Sequence, residues 1–247
     1  TWRDLSALGP FFVLGLALGL LTVWMERHRV GAAGEEWQLS LVERCLIAGR
    51  ALWFYAGKLV WPVQLTFVYP RWKIDTQAWW QYVYPIGSLG LVLILWLGRQ
   101  RIGRGVLVGA LVFGGTLVPA LGFFDVYPMR YSFVADHFQY LASLGVIVPV
   151  VAIVYRAVHL RGQIVVTMAA CLVLATLGTL TWHQCKVYAN AESLWRDTIA
   201  KNPGAWIAHN NLGTELESRG QDAQASKHYR EAIGLKVDYA ESHFNLA

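Results

Sequence analysis

The feature that most constrains this chain is a series of long apolar runs separated by short charged loops. The runs cover residues 8–24, 78–97, 105–124, 138–158 and 163–182. Each is close to the ~20 helical residues that cross the hydrocarbon of a bilayer, so the runs predict transmembrane helices. A mean hydropathy of +0.38, with 15% charged residues, agrees with this class. We therefore predict a polytopic transmembrane helix bundle over residues 1–187.

A further helical segment, residues 39–61, differs from these runs because it carries charge. Glu43, Arg44, Arg50 and Lys58 all fall within about a third of its circumference, so one face is charged and the other apolar. The segment is either interfacial, with snorkelling side chains, or spans the bundle and lines a cavity. The sequence leaves both alternatives open.

The distribution of basic residues predicts an orientation. The short loop 98–104 contains three arginines and the loop 155–162 contains two, so both are expected on the cytoplasmic side. By alternation, the loops 63–77 and 124–137 and the C-terminal tail are expected on the opposite face, periplasmic or luminal. Because the net charge of +5 is spread over these loops, it favours contact with lipid headgroups and predicts no binding of nucleic acid.

The stretch VYPMRYSFVADHFQYLASLG, residues 126–145, passes from a polar loop straight into an apolar run. Ionisable groups at a membrane boundary are candidates for function, and a guanidinium forks onto two phosphate oxygens, which favours Arg130 as a phosphate clamp. The alternative for Asp136 is a structural ion pair or helix cap. The full set of candidates for binding a donor phosphate or sugar is Arg130, His137, Asp136, Tyr140, Tyr127, Arg71 and Lys58.

Residues 188–247 are different in character, with small and large residues at the spacing of tetratricopeptide (TPR) repeats. A shift of about 34 residues, the length of this repeat, carries Trp206 onto Ala240 and Tyr229 back onto Trp195. The tail is thus predicted to be a TPR helical-hairpin solenoid with a half repeat, a full repeat over 206–239 and the start of the next. A generic helical hairpin is the alternative. The predicted packing residues are Leu212, Gly213, Leu216, Ala225, Tyr229 and Ala232.

The three cysteines, Cys45, Cys171 and Cys185, have no metal-binding spacing, and no cofactor motif is present. We therefore predict no metal site and no cofactor. The chain begins at Thr1 and ends at Ala247 inside a repeat, so we expect it to be part of a longer protein.

Three segments resemble the bacterial relatives of the transmembrane and tetratricopeptide repeat O-mannosyltransferases. They are RALWFYAGKLVWPVQLTFVYPR, YSFVADHFQYLASLG and TWHQCKVYANAESLWRDTIAKNPGAWIAHNNLG. The family's motif more often reads acidic-Arg-Tyr-x-Tyr-Leu-Pro. Here Asp136 keeps the acid, His137 replaces the arginine, Phe138 and Tyr140 supply the aromatics, and Ala142 replaces the proline.

The resemblance implies a GT-C class glycosyltransferase in the bacterial inner membrane. It would move a sugar from a polyprenyl-phosphate donor to a protein or peptide acceptor on the outer face, with the TPR part presenting the acceptor. The family's catalytic acidic pair lies in a first outer-face loop near the N-terminus, and this chain has no such loop. Catalytic residues therefore stay unknown, and the fragment alone is expected to be inactive.

A second hypothesis is a non-catalytic, membrane-anchored TPR scaffold for protein–protein interaction. An acidic pair upstream of this sequence would favour the enzyme, and its absence would favour the scaffold. A transporter would show paired broken helices and internal two-fold similarity, and the sequence has neither.

Overall fold

The computed structural model describes residues 2–30, 37–161 and 163–247. Helices make up 76% of it and no strand occurs among the described residues, which confirms an all-α fold. The helices are α1 (Trp2–Met25), α2 (Leu41–Val60), α3 (Val83–Ile102), α4 (Arg104–Leu117), α5 (Leu144–Arg161), α6 (Gln163–Val187), α7 (Ala191–Lys201), α8 (Trp206–Glu217), α9 (Asp222–Leu235) and α10 (Ala240–Leu246).

Two helices in the described part of the chain are long and apolar enough to cross a membrane. They are Trp79–Ile102, in which a 3-10 turn leads into α3, and Gln163–Val187, which is α6. Only 6% and 0% of their apolar windows are buried within the protein, so nearly all of their apolar surface faces outward. Shorter apolar helices cover Gly9–Met25, Arg104–Ala120 and Leu144–Arg156. The complete bundle over 1–187 stays a prediction.

Helix α2 matches the charged segment 39–61. A capping box starts it: the hydroxyl of Ser40 accepts from the Glu43 backbone N–H, and the Glu43 carboxylate accepts from the Ser40 N–H at 2.7 Å. Its buried residues are Leu46, Ile47, Ala48, Gly49, Ala51 and Tyr55. Its charged residues contact loops: the Arg50 guanidinium lies over Trp72 at 4.5 Å, and Lys58 Nζ donates to the carbonyl of Val63 at 2.6 Å.

Glycines allow two of the helix crossings. A Cβ on Gly49 of α2 would overlap the backbone of Pro85 in α3. In the same way, a Cβ on Gly109 of α4 would overlap the carbonyl of Gly145 in α5. Helices that touch backbone to backbone need a residue without a side chain at the contact, and these positions supply one.

The predicted span 105–124 extends too far at its C-terminal end. Helix α4 ends at Leu117, and one 3-10 turn, Val118–Ala120, follows it. Pro119 has no N–H with which to continue the α-helical hydrogen bonds, which accounts for the end of the α-helix here.

The predicted span 138–158 begins too early, because α5 starts only at Leu144. Asp136–Gln139 forms a separate 3-10 turn, preceded by extended backbone at Ala135. The Ala135 N–H donates to the hydroxyl of Tyr55 in α2 at 3.2 Å. Residues 136–146 then form several i→i+3 turns, such as that from the Gly145 N–H to the Ala142 carbonyl at 2.8 Å, before regular α-helix begins.

The C-terminal part consists of antiparallel helices that pack side by side. Helices α8 and α9 form a hairpin whose turn contains Gly220 at φ +73, a conformation that glycine adopts without strain. All six predicted packing residues are buried there, namely Leu212, Gly213, Leu216, Ala225, Tyr229 and Ala232. Their burial agrees with the predicted repeat over 206–239, and the TPR solenoid itself stays a prediction.

The C-terminal helices dock onto the loop that follows α2. Lys201 Nζ donates to the carbonyl of Leu65 at 2.7 Å, and Asn202 Nδ2 donates to the carbonyl of Val68 at 3.2 Å. Val68 is buried in a cluster with Ala205 and Ala208. The loop and the hairpin are therefore one packed unit.

Candidate functional site

Four of the seven predicted site residues lie in two separate places, which the sequence does not distinguish. The first, which we call the carboxylate cluster, consists of the predicted residues Asp136 and Lys58 together with Tyr69, which sequence reasoning did not identify. The second, which we call the junction cavity, lies between the loops and the C-terminal helices and includes Arg71 and Arg130.

The carboxylate cluster centres on Asp136, which is half-buried. The hydroxyl of Tyr69 donates to Asp136 Oδ1 at 2.7 Å. Burial raises the pKa of Asp136 above its ordinary value, and the hydrogen bond from Tyr69 and the positive charge of Lys58 oppose this rise. The pKa of Tyr69 is also raised, by burial first and by Asp136 second. A carboxyl group of this kind holds its proton to higher pH than an exposed aspartate does.

Asp136 does not cap a helix. The residue that precedes its 3-10 turn is Ala135, and the turn has no side-chain cap hydrogen bond. Lys58 Nζ donates a hydrogen bond to the carbonyl of Val63 and lies 5.4 Å from the centre of the Tyr69 ring.

Two other candidates from the same stretch point outward. Tyr140 is 74% exposed, and the exposed His137 packs edge-on against Phe138 with ring centres 4.5 Å apart. Tyr127 is close to the junction cavity instead, because its hydroxyl accepts a hydrogen bond from Tyr131 at 3.2 Å and Tyr131 lines that cavity.

The junction cavity has a volume of about 320 Å³. The guanidinium of Arg130 and the Nζ of Lys236 lie over the ring of Trp206, at 5.4 and 5.0 Å from its centre. Arg71 lies over Phe133 at 4.8 Å. The lining residues are Val68, Pro70, Arg71, Arg130, Tyr131, Asn202, Gly204, Ala205, Trp206, Ile207 and Lys236. This concentration of positive charge suits the binding of an anion.

Sequence reasoning did not identify Lys236 and Trp206 as site residues. Lys236 follows the last residue of α9, a position where a basic side chain usually complements the helix dipole, and Trp206 begins α8. Neither position carries a local signal for binding.

Sequence reasoning also missed a buried ion pair that holds the start of the polar loop. Arg44 Nη2 lies 2.7 Å from Asp125 Oδ1, and the two side chains are 14% and 5% exposed. The same guanidinium donates to the carbonyls of Gly122 and Trp37. The available signal was an acidic residue directly after an apolar run, which requires a partner when buried.

Within residues 2–30, 37–161 and 163–247, no group of three or more His, Cys, Asp or Glu side chains is arranged to hold a metal ion. The three cysteines are free.

Comparison with known proteins shows that this chain has a distant relative. No family model and no solved structure matches the chain. The chain is similar to Protein O-mannosyl-transferase Tmtc2 of Drosophila melanogaster, with 32% identity over 114 residues, which is 45% of this chain. The match covers 12% of the length of that protein. The chain is thus distantly related to a protein O-mannosyl-transferase.

Proposed function

We propose that this chain is part of a membrane glycosyltransferase of the GT-C class, which transfers a sugar from a polyprenyl-phosphate donor to a protein acceptor. The observation that carries the proposal is the 32% identity to a protein O-mannosyl-transferase. The two apolar helices, Trp79–Ile102 and Gln163–Val187, support a membrane location.

In this proposal, residues 1–187 form a bundle in a bacterial inner membrane, and residues 188–247 form TPR hairpins on the outer face that present the acceptor. The docking of Lys201 and Asn202 onto the loop carbonyls supports the second part, because it brings the hairpins next to the polar loops. An acceptor bound to the hairpins would then lie close to the donor.

The site residues have separate roles in the proposal. Arg130 and Arg71 hold the departing phosphate in the junction cavity, because a guanidinium offers two parallel donors to phosphate oxygens. Tyr127 provides a ring beside that cavity for stacking on a sugar. Lys58, His137, Asp136 and Tyr140 belong to the carboxylate cluster or its rim, and they are proposed as the face toward the lipid headgroup. The proposal assigns donor binding, and not the catalytic base, to these residues.

The test is sugar transfer by the full-length protein in detergent, from a radiolabelled mannosyl polyprenyl phosphate to protein acceptors. We expect Arg130→Ala to lower kcat/KM by about tenfold to a hundredfold, since a charge-assisted hydrogen bond contributes about 1.5–3 kcal/mol. Arg101→Ala, at an exposed position in the last turn of α3 and outside the hairpins, is the control and should leave the rate unchanged. Equal rates in the two variants would contradict the role of Arg130.

A non-catalytic, membrane-anchored TPR scaffold is the second candidate. It is favoured by the fact that Asp136 and Lys58 make contacts within the protein, to Tyr69 and to the carbonyl of Val63. The absence of transfer with mannosyl, glucosyl and galactosyl polyprenyl phosphates, together with unchanged partner binding by Arg130→Ala, would establish the scaffold over the enzyme.

A further inference from the structure

The junction cavity is built from two parts of the chain that are far apart in sequence. The loop side contributes Arg71, Arg130 and Tyr131, and the side formed by the C-terminal helices contributes Trp206 and Lys236. Neither side encloses the cavity alone, so its shape depends on the docking of the helices.

Three of the residues that line the cavity are cationic. Among the described residues that line it, Arg71, Arg130 and Lys236 are cationic and none is acidic. Glu241 of α10 accepts hydrogen bonds from Tyr239 and Asn210 within the C-terminal helices. An anion in that volume is attracted by each of the three charges.

Aromatic rings position these cations. Arg130 and Lys236 both lie over the ring of Trp206, which in turn packs on Tyr239 with ring centres 4.3 Å apart. Arg71 is held on Phe133, which is 4% exposed. Cations that rest on packed rings lose less conformational freedom when a ligand binds than cations on free side chains do.

The size of the cavity is compatible with a phosphate that carries a substituent. Its 320 Å³ is about ten times the ~30 Å³ share of one water molecule in the liquid. Residues 204–207 also bring the start of the twelve-residue helix α8 to the wall, where its backbone dipole adds to the attraction of an anion.

We propose that the junction cavity is a phosphate-binding site formed by both parts of the chain. Arg71 and Arg130 belong to its loop side, and Lys236 and Trp206 belong to the side of the C-terminal helices. The proposal deepens the proposed function, on which it rests for naming the donor phosphate as the occupant. Binding of phosphate connects the loop to the C-terminal helices, so donor binding and acceptor presentation are physically linked.

The test is equilibrium binding to the full-length protein in detergent, with two probes: inorganic phosphate and farnesyl phosphate, a short prenyl phosphate. We expect saturable binding that weakens with salt, and a loss of about tenfold in affinity in Lys236→Gln, because one cation is removed. Lys227→Gln, at an exposed position of α9, is the matched control and should bind as the wild type does.

The two probes separate the sources of the phosphate. Tighter binding of farnesyl phosphate identifies a lipid-linked phosphate, and equal binding identifies a free phosphate. The absence of saturable binding of either probe, or equal affinities of Lys236→Gln and Lys227→Gln, would overturn the proposal.

Failure of this site and failure of the proposed function give different results. Sugar transfer that persists with unchanged rate in Lys236→Gln refutes the shared site and leaves the enzyme intact. Phosphate binding that depends on Lys236 in a protein without transfer activity refutes the enzyme and leaves the site. Lys236→Gln removes a charge at the end of α9, and circular dichroism of the variant checks that the helices are retained.

Discussion

Substitution of Gly213 by alanine tests the packing of the C-terminal hairpin most directly. An added Cβ would lie 2.5, 2.7 and 3.0 Å from the Cε1, Cδ1 and Cζ atoms of Tyr229. The Tyr229 ring is 2% exposed, and its hydroxyl donates to the Glu217 carboxylate at 2.6 Å. The ring therefore has to move, and it cannot move without straining this hydrogen bond.

The magnitude follows from three contributions. Overpacking of a buried site costs about 1–3 kcal/mol, and weakening the hydrogen bond to a charged Glu217 costs about 1 kcal/mol more. Replacing a helical glycine by alanine stabilises the helix by about 1 kcal/mol, because alanine has the higher helix propensity. We expect Gly213→Ala to lower the local free energy of unfolding of α8 and α9 by about 2 kcal/mol.

Hydrogen exchange of the full-length protein, read by mass spectrometry, measures this local stability. A loss of about 2 kcal/mol speeds exchange of the most protected hairpin amides by roughly 30-fold. Gly234→Ala is the matched control, because a Cβ there meets no atom within 4 Å, and it should slow exchange slightly. If the hairpin amides exchange as slowly in Gly213→Ala as in Gly234→Ala, the packing argument is wrong.

Two further predictions concern buried charges. Asp125→Ala leaves the Arg44 side chain, which is 14% exposed, without its carboxylate partner. We expect the free energy of unfolding, measured by chemical denaturation, to fall by about 2–3 kcal/mol. Asp125→Asn keeps a hydrogen-bond acceptor, so its free energy of unfolding should fall by less. Burial, and then the neighbouring His209, lower the pKa of His228, and the two Nδ1 atoms lie 3.2 Å apart. Because the unfolded chain then binds a proton more readily than the hairpin does, hairpin stability should be constant above about pH 6.5 and fall as the pH drops through the lowered pKa. Exchange rates corrected for their intrinsic pH dependence check this, and His228→Gln should remove most of the effect.

Local pattern predicts part of this structure well. The segment 39–61 contains α2, from Leu41 to Val60, because the capping box starts the helix and Pro62 follows it closely. The small and large residues at repeat spacing are buried in the hairpin, and Gly213 and Tyr229 lie against each other there. These features depend on neighbours within a few turns of helix, so the sequence contains them.

Other features required the folded chain. The apolar pattern alone predicts a helix from residue 138, but Ala135 is extended and bonded to Tyr55, 80 residues away, a 3-10 turn follows it, and α5 begins only at Leu144. The ion pair between Arg44 and Asp125 joins positions 81 residues apart in the chain. The periodicity of apolar residues along the chain does not predict contacts between such distant positions.

The sequence by itself determined that this protein is helical, that it has helices suited to a membrane, and that a polar, aromatic loop adjoins them. These properties follow from composition and helical period, which are local. Only the tertiary structure separated Asp136 from Arg130 into two groups and brought Lys236 to the same ring as Arg130. The reason is physical: a charge acquires its partners when distant segments pack together and exclude water, and no spacing along the chain specifies which segments those will be.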